Sequence, residues 1–495
     1  MRDFNLFDAN SYRFLLLLLF PLATTCASAC TSTATRTLIQ IPTINYHHLL
    51  NFSGPFGLPR LNVSLVNYSD VVNVSHDAVV LENEFLRVTL LPAMGRVYSI
   101  EDKTTGHDVI WKNRIAAPAG ANNDLGWWLW IGGIEYTLPG QEHGFTWALD
   151  WDWSIDQSTC SNRSRTSRNT TSAAEHAATV VTTVMEPTTG IVETLTFSLA
   201  QKSMSLDTRI HLYNPSQTNS SMFAHWTNVP FVPGGRNRLP DSSEFIIPTD
   251  SISVEPRWQS NLGPGWQDWS ASPLRYFRNW TNGTRMGDFT ANNLKVWGTV
   301  AGTSAASSSF FGTYSHYDDE GGIRIFDARA TPGLDTWTYG FEPTVPCFPQ
   351  NKKISRCSYA EMWGGTVKQL EELKPLLPRA NLTWIEHVVP FHGILGLTFA
   401  NQFLAANTFY RDGCNSSSVV VVALFPIRSL PDVEVVLGNR SRHIELFRPG
   451  NVVQAEFSSE RSLNEEGAPV AAAVVRVLSA GAVVASFPIP CIDSR

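Results

Sequence analysis

VLENEFLRVTLLPAMGRVYSIEDKTTG, residues 80–106, carries the pattern from which the fold is read. In Phe85-Leu86-Arg87-Val88-Thr89-Leu90 apolar and other residues alternate, the period-two signature of a half-buried strand. Residues 97–100 and 108–111 flank Asp102-Lys103-Thr104-Thr105-Gly106, a turn sequence that closes a hairpin. The same construction recurs downstream, where residues 180–185 and 192–199 bracket Glu186-Pro187-Thr188-Thr189-Gly190. Leu206, Thr208, Ile210 and Leu212 then alternate before Asn214-Pro215. Only one stretch has helical spacing: Val367, Leu370, Leu373 and Leu377 follow Thr366 and Gln369, a capping box, and Pro375 limits the helix to about two turns. Everything else reads as strand and turn, so the chain is expected to be all-β.

From about residue 391 the texture changes. Short β-rich runs at 417–424, 433–437, 443–447, 452–457, 471–478 and 483–489 are separated by turn signals at 428–431, Gly438-Asn439, Pro449-Gly450 and Gly481. That spacing predicts a small antiparallel sandwich over 391–495. Residues 158–178 are rich in Ser, Thr and Asn without periodicity and read as an exposed insertion, with 302–309 a shorter one. Residues 30–78, also Thr-, Asn- and Ser-rich, read as an extended glycosylated lead-in, with regular structure over 79–390.

The 495 residues are enough for two or three domains with real cores. Lys and Arg total 37 against 44 Asp and Glu, a net charge of −7, and no basic run occurs. Nucleic acid and anionic membrane surfaces are therefore not expected partners. Arg13, the apolar run 14–23 and the small-residue site Ala27-Ser28-Ala29 form a signal-peptide pattern over 1–29. The apolar run is too short to span a bilayer and no later one is long enough, so a secreted chain without an anchor is expected. Sequons begin at Asn51, Asn62, Asn67, Asn73, Asn162, Asn169, Asn219, Asn279, Asn282, Asn381, Asn415 and Asn439. A dozen of them in a secreted chain argues for N-glycosylation at surface positions. Cys30, Cys160, Cys347, Cys357, Cys414 and Cys491 remain beyond the leader, an even set that suits disulfides in an oxidising compartment. Their spacing matches no zinc pattern, His47-His48 has no ligand companions, and no cofactor is expected. No G-x-S-x-G elbow, P-loop or H-E-x-x-H is present, so triad hydrolases, nucleotide enzymes and zincins gain no support. The oligomeric state is not legible.

Residues 127–153, WWLWIGGIEYTLPGQEHGFTWALDWDW, concentrate six tryptophans around Glu135, Glu142, His143, Asp150 and Asp152. Flat aromatic faces suit the C–H faces of sugars, and carboxylates and imidazoles suit their hydroxyls and anomeric centre. Gly132-Gly133 lets backbone approach closely. The same composition also suits a buried aromatic core. A second aromatic run, Trp258, Trp266, Trp269, Tyr276, Phe277 and Trp280, sits in a Pro/Gly/Ser-rich loop, as a ligand platform or as packing over one end of the sandwich. Asp318-Asp319-Glu320-Gly321-Gly322 reads as a solvated turn rather than a cation site.

Several of these segments, in order, resemble the galactose mutarotase-like superfamily, and within it an uncharacterised domain family often joined to tetratricopeptide repeats in bacteria. They are residues 80–92, Gly95 to Ile100 with Asp102-Lys103 and Thr105-Gly106, and Gly132 to Tyr136 with Pro139 and His143. They continue at His225-Trp226-Thr227-Asn228, Pro332-Gly333, Trp337-Thr338-Tyr339-Gly340, Tyr359 to Trp363, Trp384 and Glu386. The chain departs from the family pattern at Met94 and Ala224. The resemblance, over about 79–390, implies a β-supersandwich of large twisted antiparallel sheets with an open sugar-binding face.

For the site, the resemblance implies His143 and His225 as the histidines and Glu361 as the glutamate of a mutarotase centre. The glutamate would take the anomeric proton while a histidine protonates the ring oxygen. Arg96, Trp128, Trp130, Trp226, Asn228 and Trp363 are the candidate sugar contacts. Glu135 is either a partner of Arg87 or Arg96, or the second carboxylate of a cleaving pair with Glu361. The expected partner is carbohydrate. Cleavage of a glycan by acid–base chemistry ranks ahead of aldose 1-epimerisation, and a non-catalytic glycan-binding or wall protein is the competing class.

Overall fold

The computed structural model describes residues 32–121, 123–156, 177–239, 243–246, 252–254, 294–299, 309–338, 359–368, 372–411, 419–458 and 474–489. Within them the chain is built of sheets paired antiparallel throughout except where Thr33–Ile44 meets Lys112–Gly120 in parallel, with short 3-10 turns between strands. The fold class read from the sequence therefore holds. The opening stretch forms the strands Leu86–Leu91 and Arg96–Asp102, and a short strand His107–Asp108 completes the expected hairpin. Alternation works as read: Leu86, Val88 and Leu90 are buried while Arg87 is exposed.

These strands belong to a seven-stranded sheet. An eight-stranded sheet contains the second expected hairpin, Ala177–Met185 with Val192–Ala200, followed by Leu206–Tyr213 and the long strand Asn381–His392. A six-stranded sheet carries Glu135–Thr137, Trp226–Val229, Ala360–Gly365 and Gly333–Thr338. Its inner face packs on the eight-stranded sheet, with Tyr136 against Phe197 and His225 against Trp384. Short backbone pairings of Val97 with Ile134 and of Ile110 with Phe231 join the six- and seven-stranded sheets. One large apolar cluster, from Ile41 through Phe197 to Val389, fills the interior. Burying such side chains contributes about 1.5–3 kcal/mol each, which is what holds the layers together.

Two four-stranded sheets form the C-terminal part. The strands Val419–Pro426, Val433–Leu437, Val453–Ser458, Val474–Ser479 and Ala482–Pro488 fall close to runs read from sequence, Arg440–Ile444 overlaps the run at 443–447 only at its end, and Phe399–Ala400 and Leu404–Tyr410 were not among those runs. They close on a core of their own that includes Leu404, Val422, Val435, Phe457 and Phe487.

Two expectations are corrected. Residues 30–78 are more than a lead-in: the strands Thr33–Ile44 and Val71–Glu82 pair over their whole length within the seven-stranded sheet. Thr33, Thr35, Asn73 and Ser75 misled because they are exposed, while Ile41, Ile44, Ala78, Val79 and Leu81 are buried. The helix expected near 366–377 is replaced, among the described residues, by a bend at 366–368 and a short strand, Lys374–Leu376, paired with Ser221–Phe223. Leu373 and Leu377 are exposed, so their helical spacing marks no buried stripe. The cysteines, residues 157–176 and the aromatic run 258–280 lie outside the described residues.

Candidate functional site

The six-stranded sheet carries the site. Across three adjacent strands the register sets Glu135, Asn228 and Trp363 abreast in one row. Side chains alternate along a strand, so these three share a face with Glu361, two residues before Trp363. The turn that delivers Glu135 depends on Gly132 and Gly133, both left-handed at φ 87° and 82°. A Cβ at Gly133 would lie 2.5 Å from the Val97 carbonyl oxygen, and one at Gly132 would lie 2.7 Å from that of Trp111. Only glycine satisfies both the torsion and the space.

A buried charge relay runs along one side. Arg96 donates to the Gly132 carbonyl at 2.8 Å and to Glu135 Oε1 at 3.0 Å. Glu135 Oε2 lies 2.9 Å from His143 Nδ1. All three side chains are almost fully buried. His143 has a left-handed φ of 61°, unusual for a residue with a Cβ, and is clamped between tryptophans. Trp128 stacks on its ring at 3.6 Å, nearly parallel, and Trp363 meets it edge-on at 5.4 Å.

Glu361 stands opposite. The Tyr359 hydroxyl donates to its Oε1 at 2.7 Å and the Trp363 indole N–H to its Oε2 at 3.1 Å. The Tyr359 ring stacks on Trp111 at 4.1 Å, and Trp111 leans on Trp130. Glu135, Glu361, Asn228 and Arg96 line one cavity with Trp111, Trp128, Trp130, Tyr359 and Pro230. Its volume is about 210 Å³, counted to its open mouth.

The electrostatics separate the two carboxyls. Burial pushes Glu361 above the usual carboxylate range; the Glu135 charge adds to this, and His143 with the Tyr359 and Trp363 donors offsets only part of it. Burial also acts on Glu135, but the Arg96 and His143 charges outweigh it and hold that carboxyl below its usual range. On His143 burial works against the charged form, yet Glu135, with help from Glu361, raises its pKa above the ordinary imidazole value. The site thus pairs a carboxyl that holds its proton readily with a stabilised imidazolium, an arrangement able to exchange protons with a ligand.

Several expected residues are placed differently. His225 is fully buried on the opposite face of its strand, between the sheets, with Nε2 2.9 Å from Glu193. It is therefore not a group of this cavity, because alternation turns it away while it turns Asn228 inward. Trp226 is fully buried in a small cluster with Ala224, Trp363 and Val367, and it supports the cavity without lining it. Trp128 gives one ring face to His143. The Glu135 partner is Arg96; Arg87 pairs instead with Glu82 and Glu101. The acidic turn is fully engaged, with Asp318 on Arg236, Asp319 on Tyr314, and Glu320 on His107. Trp111, Tyr359 and Pro230 were not singled out from the sequence as cavity residues. For Tyr359 the signal existed: Tyr359, Glu361 and Trp363 are spaced by two on one strand and so share a face.

A family model described as a domain of unknown function (DUF5107) matches residues 64–375, more than half of the chain. Among solved structures, a TPR-domain containing protein from Parabacteroides distasonis matches with a TM-score of 0.53 at 17% identity. The match covers 73% of this chain and 55% of that one, so this chain spans about half the length of that protein, and the likeness is one of fold. A galactose mutarotase-like protein from Clostridium acetobutylicum aligns at 12% identity over 66% of this chain and 97% of that one, with a TM-score of 0.42. A galactose mutarotase related enzyme from Lactobacillus acidophilus aligns at 13% identity over 63% and 97%, with a TM-score of 0.39.

Proposed function

We propose that this chain, which belongs to the family described as a domain of unknown function (DUF5107), is a secreted carbohydrate-active protein. It takes one sugar ring in the cavity beneath Glu361 and exchanges protons at the anomeric centre. The observation that carries this reading is Glu361: a carboxyl of raised pKa on an aromatic wall, within electrostatic reach of the charged His143. As carboxylate, Glu361 takes the proton of the anomeric hydroxyl. The bond between the anomeric carbon and the ring oxygen breaks, and His143 gives that oxygen its proton. Rotation and reclosure on the other face return both protons.

Glycan cleavage, ranked first from the sequence, needs a second carboxyl free to act as base or nucleophile. Both oxygens of Glu135 are engaged, one by Arg96 and one by His143. That favours proton exchange over cleavage. Exchange of α and β anomers of common aldoses, followed by NMR with and without protein, tests the reading. Faster exchange without new reducing ends supports it. Reducing ends released from glycans would favour cleavage, and neither effect would leave binding alone.

The pH profile follows from the roles. Glu361 must be ionised and His143 protonated, so activity should be bell-shaped. Its acid limb should lie above the ordinary carboxyl value of 4.5 and its alkaline limb above the ordinary imidazole value of 6.5. Glu135→Gln removes the charge that raises His143, so the alkaline limb should move to lower pH. A limb that stays in place would separate it from His143.

The sequons support the secretory part of the reading. Asn51, Asn62, Asn67, Asn73, Asn219, Asn381 and Asn439, those among the described residues, are all exposed. Protein recovered from the medium of a eukaryotic host should lose mass on N-glycosidase treatment; an unchanged mass would contradict glycosylation.

A further inference from the structure

Asn228 is the one polar side chain in the row between Glu135 and Trp363. It is almost fully buried and lines the cavity with Glu361. Its side-chain oxygen has no hydrogen-bond partner among the described residues. The Oδ1 atoms of Asn113 and Asn407 are likewise without a partner among the described residues, but the other carboxamides buried as deeply each make bonds within the fold: Asn83 caps the turn at 85–86, Asn113 donates to the Trp130 carbonyl, Asn214 to the carbonyls of Asn219 and Leu376, and Asn407 to those of Ile394 and Leu395. Asn228 makes no such bond among the described residues. A buried acceptor left unmet costs free energy, which a donor arriving in the cavity recovers.

Resting on the reading of the cavity as a sugar site, we propose that Asn228 is its specificity-determining residue: its Oδ1 accepts a hydrogen bond from one ring hydroxyl of the bound aldose. The acceptor is enclosed, so a sugar lacking that hydroxyl leaves it unmet, and the protein discriminates against that analogue. Glu361 and His143 serve the anomeric centre, whereas Asn228 reads a hydroxyl elsewhere on the ring and makes no proton transfer. The rejected analogue is thus one particular monodeoxy aldose.

The test titrates the full-length protein with an aldose that it binds and with the monodeoxy series of that aldose, by calorimetry or ligand-observed NMR. One analogue should bind roughly tenfold or more weakly to the wild type. Asn228→Ala should bind the parent aldose about as weakly as that analogue and no longer tell the two apart. Asn228→Asp, which keeps an acceptor, should retain part of the discrimination. If all monodeoxy sugars bind the wild type like the parent, water alone meets Asn228 and the inference is overturned while the sugar reading stands. Discrimination that survives in Asn228→Ala also overturns it. If no aldose binds, the sugar reading and the inference fall together. The wild-type series decides the matter even if the variants do not fold.

Discussion

Replacing Glu361 by Gln is expected to lower anomer exchange by roughly 10²–10⁴-fold, the usual contribution of a positioned acid–base group. The change is nearly isosteric, and the local donors can still be met. The amide oxygen can accept from the Trp363 indole while the amide nitrogen donates to the Tyr359 hydroxyl, reversing one of the two bonds now made to the carboxyl. The fold should therefore survive, and an unchanged thermal transition is the control. Because the Glu361 charge also supports the imidazolium, the alkaline limb of any residual activity should shift down. An exchange rate equal to the wild type's would remove Glu361 from the chemistry.

The second large effect is on stability. Glu386→Ala is expected to destabilise the fold by about 3–5 kcal/mol, the cost of stripping one partner from a buried ion pair. Arg324 reaches Glu386 through Nε at 2.8 Å and Nη2 at 2.5 Å, and both side chains are sealed between the sheets. The Trp384 indole and the Thr227 hydroxyl donate to the same carboxylate. Removing Glu386 would leave the Arg324 charge in the core between the Phe311 and Phe326 rings. Replacing both partners by apolar residues, Arg324→Met with Glu386→Leu, should cost much less than the single change. Burial would raise the Glu386 pKa, but Arg324 outweighs it and the net shift is downward. A depressed carboxyl contributes stability above its unfolded value, and that stability is lost as pH falls through the folded value. The wild type should therefore lose this contribution below about pH 4.5, where the variant has none to lose. Urea denaturation measures both effects; a loss under about 1 kcal/mol would mean that the pair is solvated.

The fold was legible where alternation was clean. Residues 85–90, 180–185 and 192–199 lie beside turn residues and became strands, and the β-rich C-terminal runs did so too except that at 443–447, of which only 443–444 is strand. It was not legible where polar composition concealed pairing. The strands Thr33–Ile44 and Val71–Glu82 expose Thr33, Thr35, the sequon residue Asn73 and Ser75, so they read as loop although Ile41, Ile44, Val79 and Leu81 are core. The false helix arose from four apolar residues at helical spacing, two of which face solvent.

For the site, the sequence brought together the residues but not their faces. His225 and Trp226 are adjacent, and composition alone cannot say which of them points at the cavity. That depends on strand phase, fixed here by Asn228 standing opposite Glu135. The sequence likewise left open whether Arg87 or Arg96 meets Glu135, which lies against Arg96. Trp111 entered the wall from a strand end in the neighbouring sheet, a long-range placement that no local pattern carries.

The central claim is that the cavity between Trp130 and Glu361 takes a sugar ring. Saturation-transfer NMR on a panel of simple aldoses, using wild type, Glu361→Gln and Trp130→Ala, addresses it most directly. The predicted result is transfer concentrated on the C–H protons of one ring face. That transfer should persist in Glu361→Gln, which keeps the shape of the cavity, and collapse in Trp130→Ala, which removes its aromatic wall. Absence of transfer to every aldose, or transfer equally strong in Trp130→Ala, would contradict the claim.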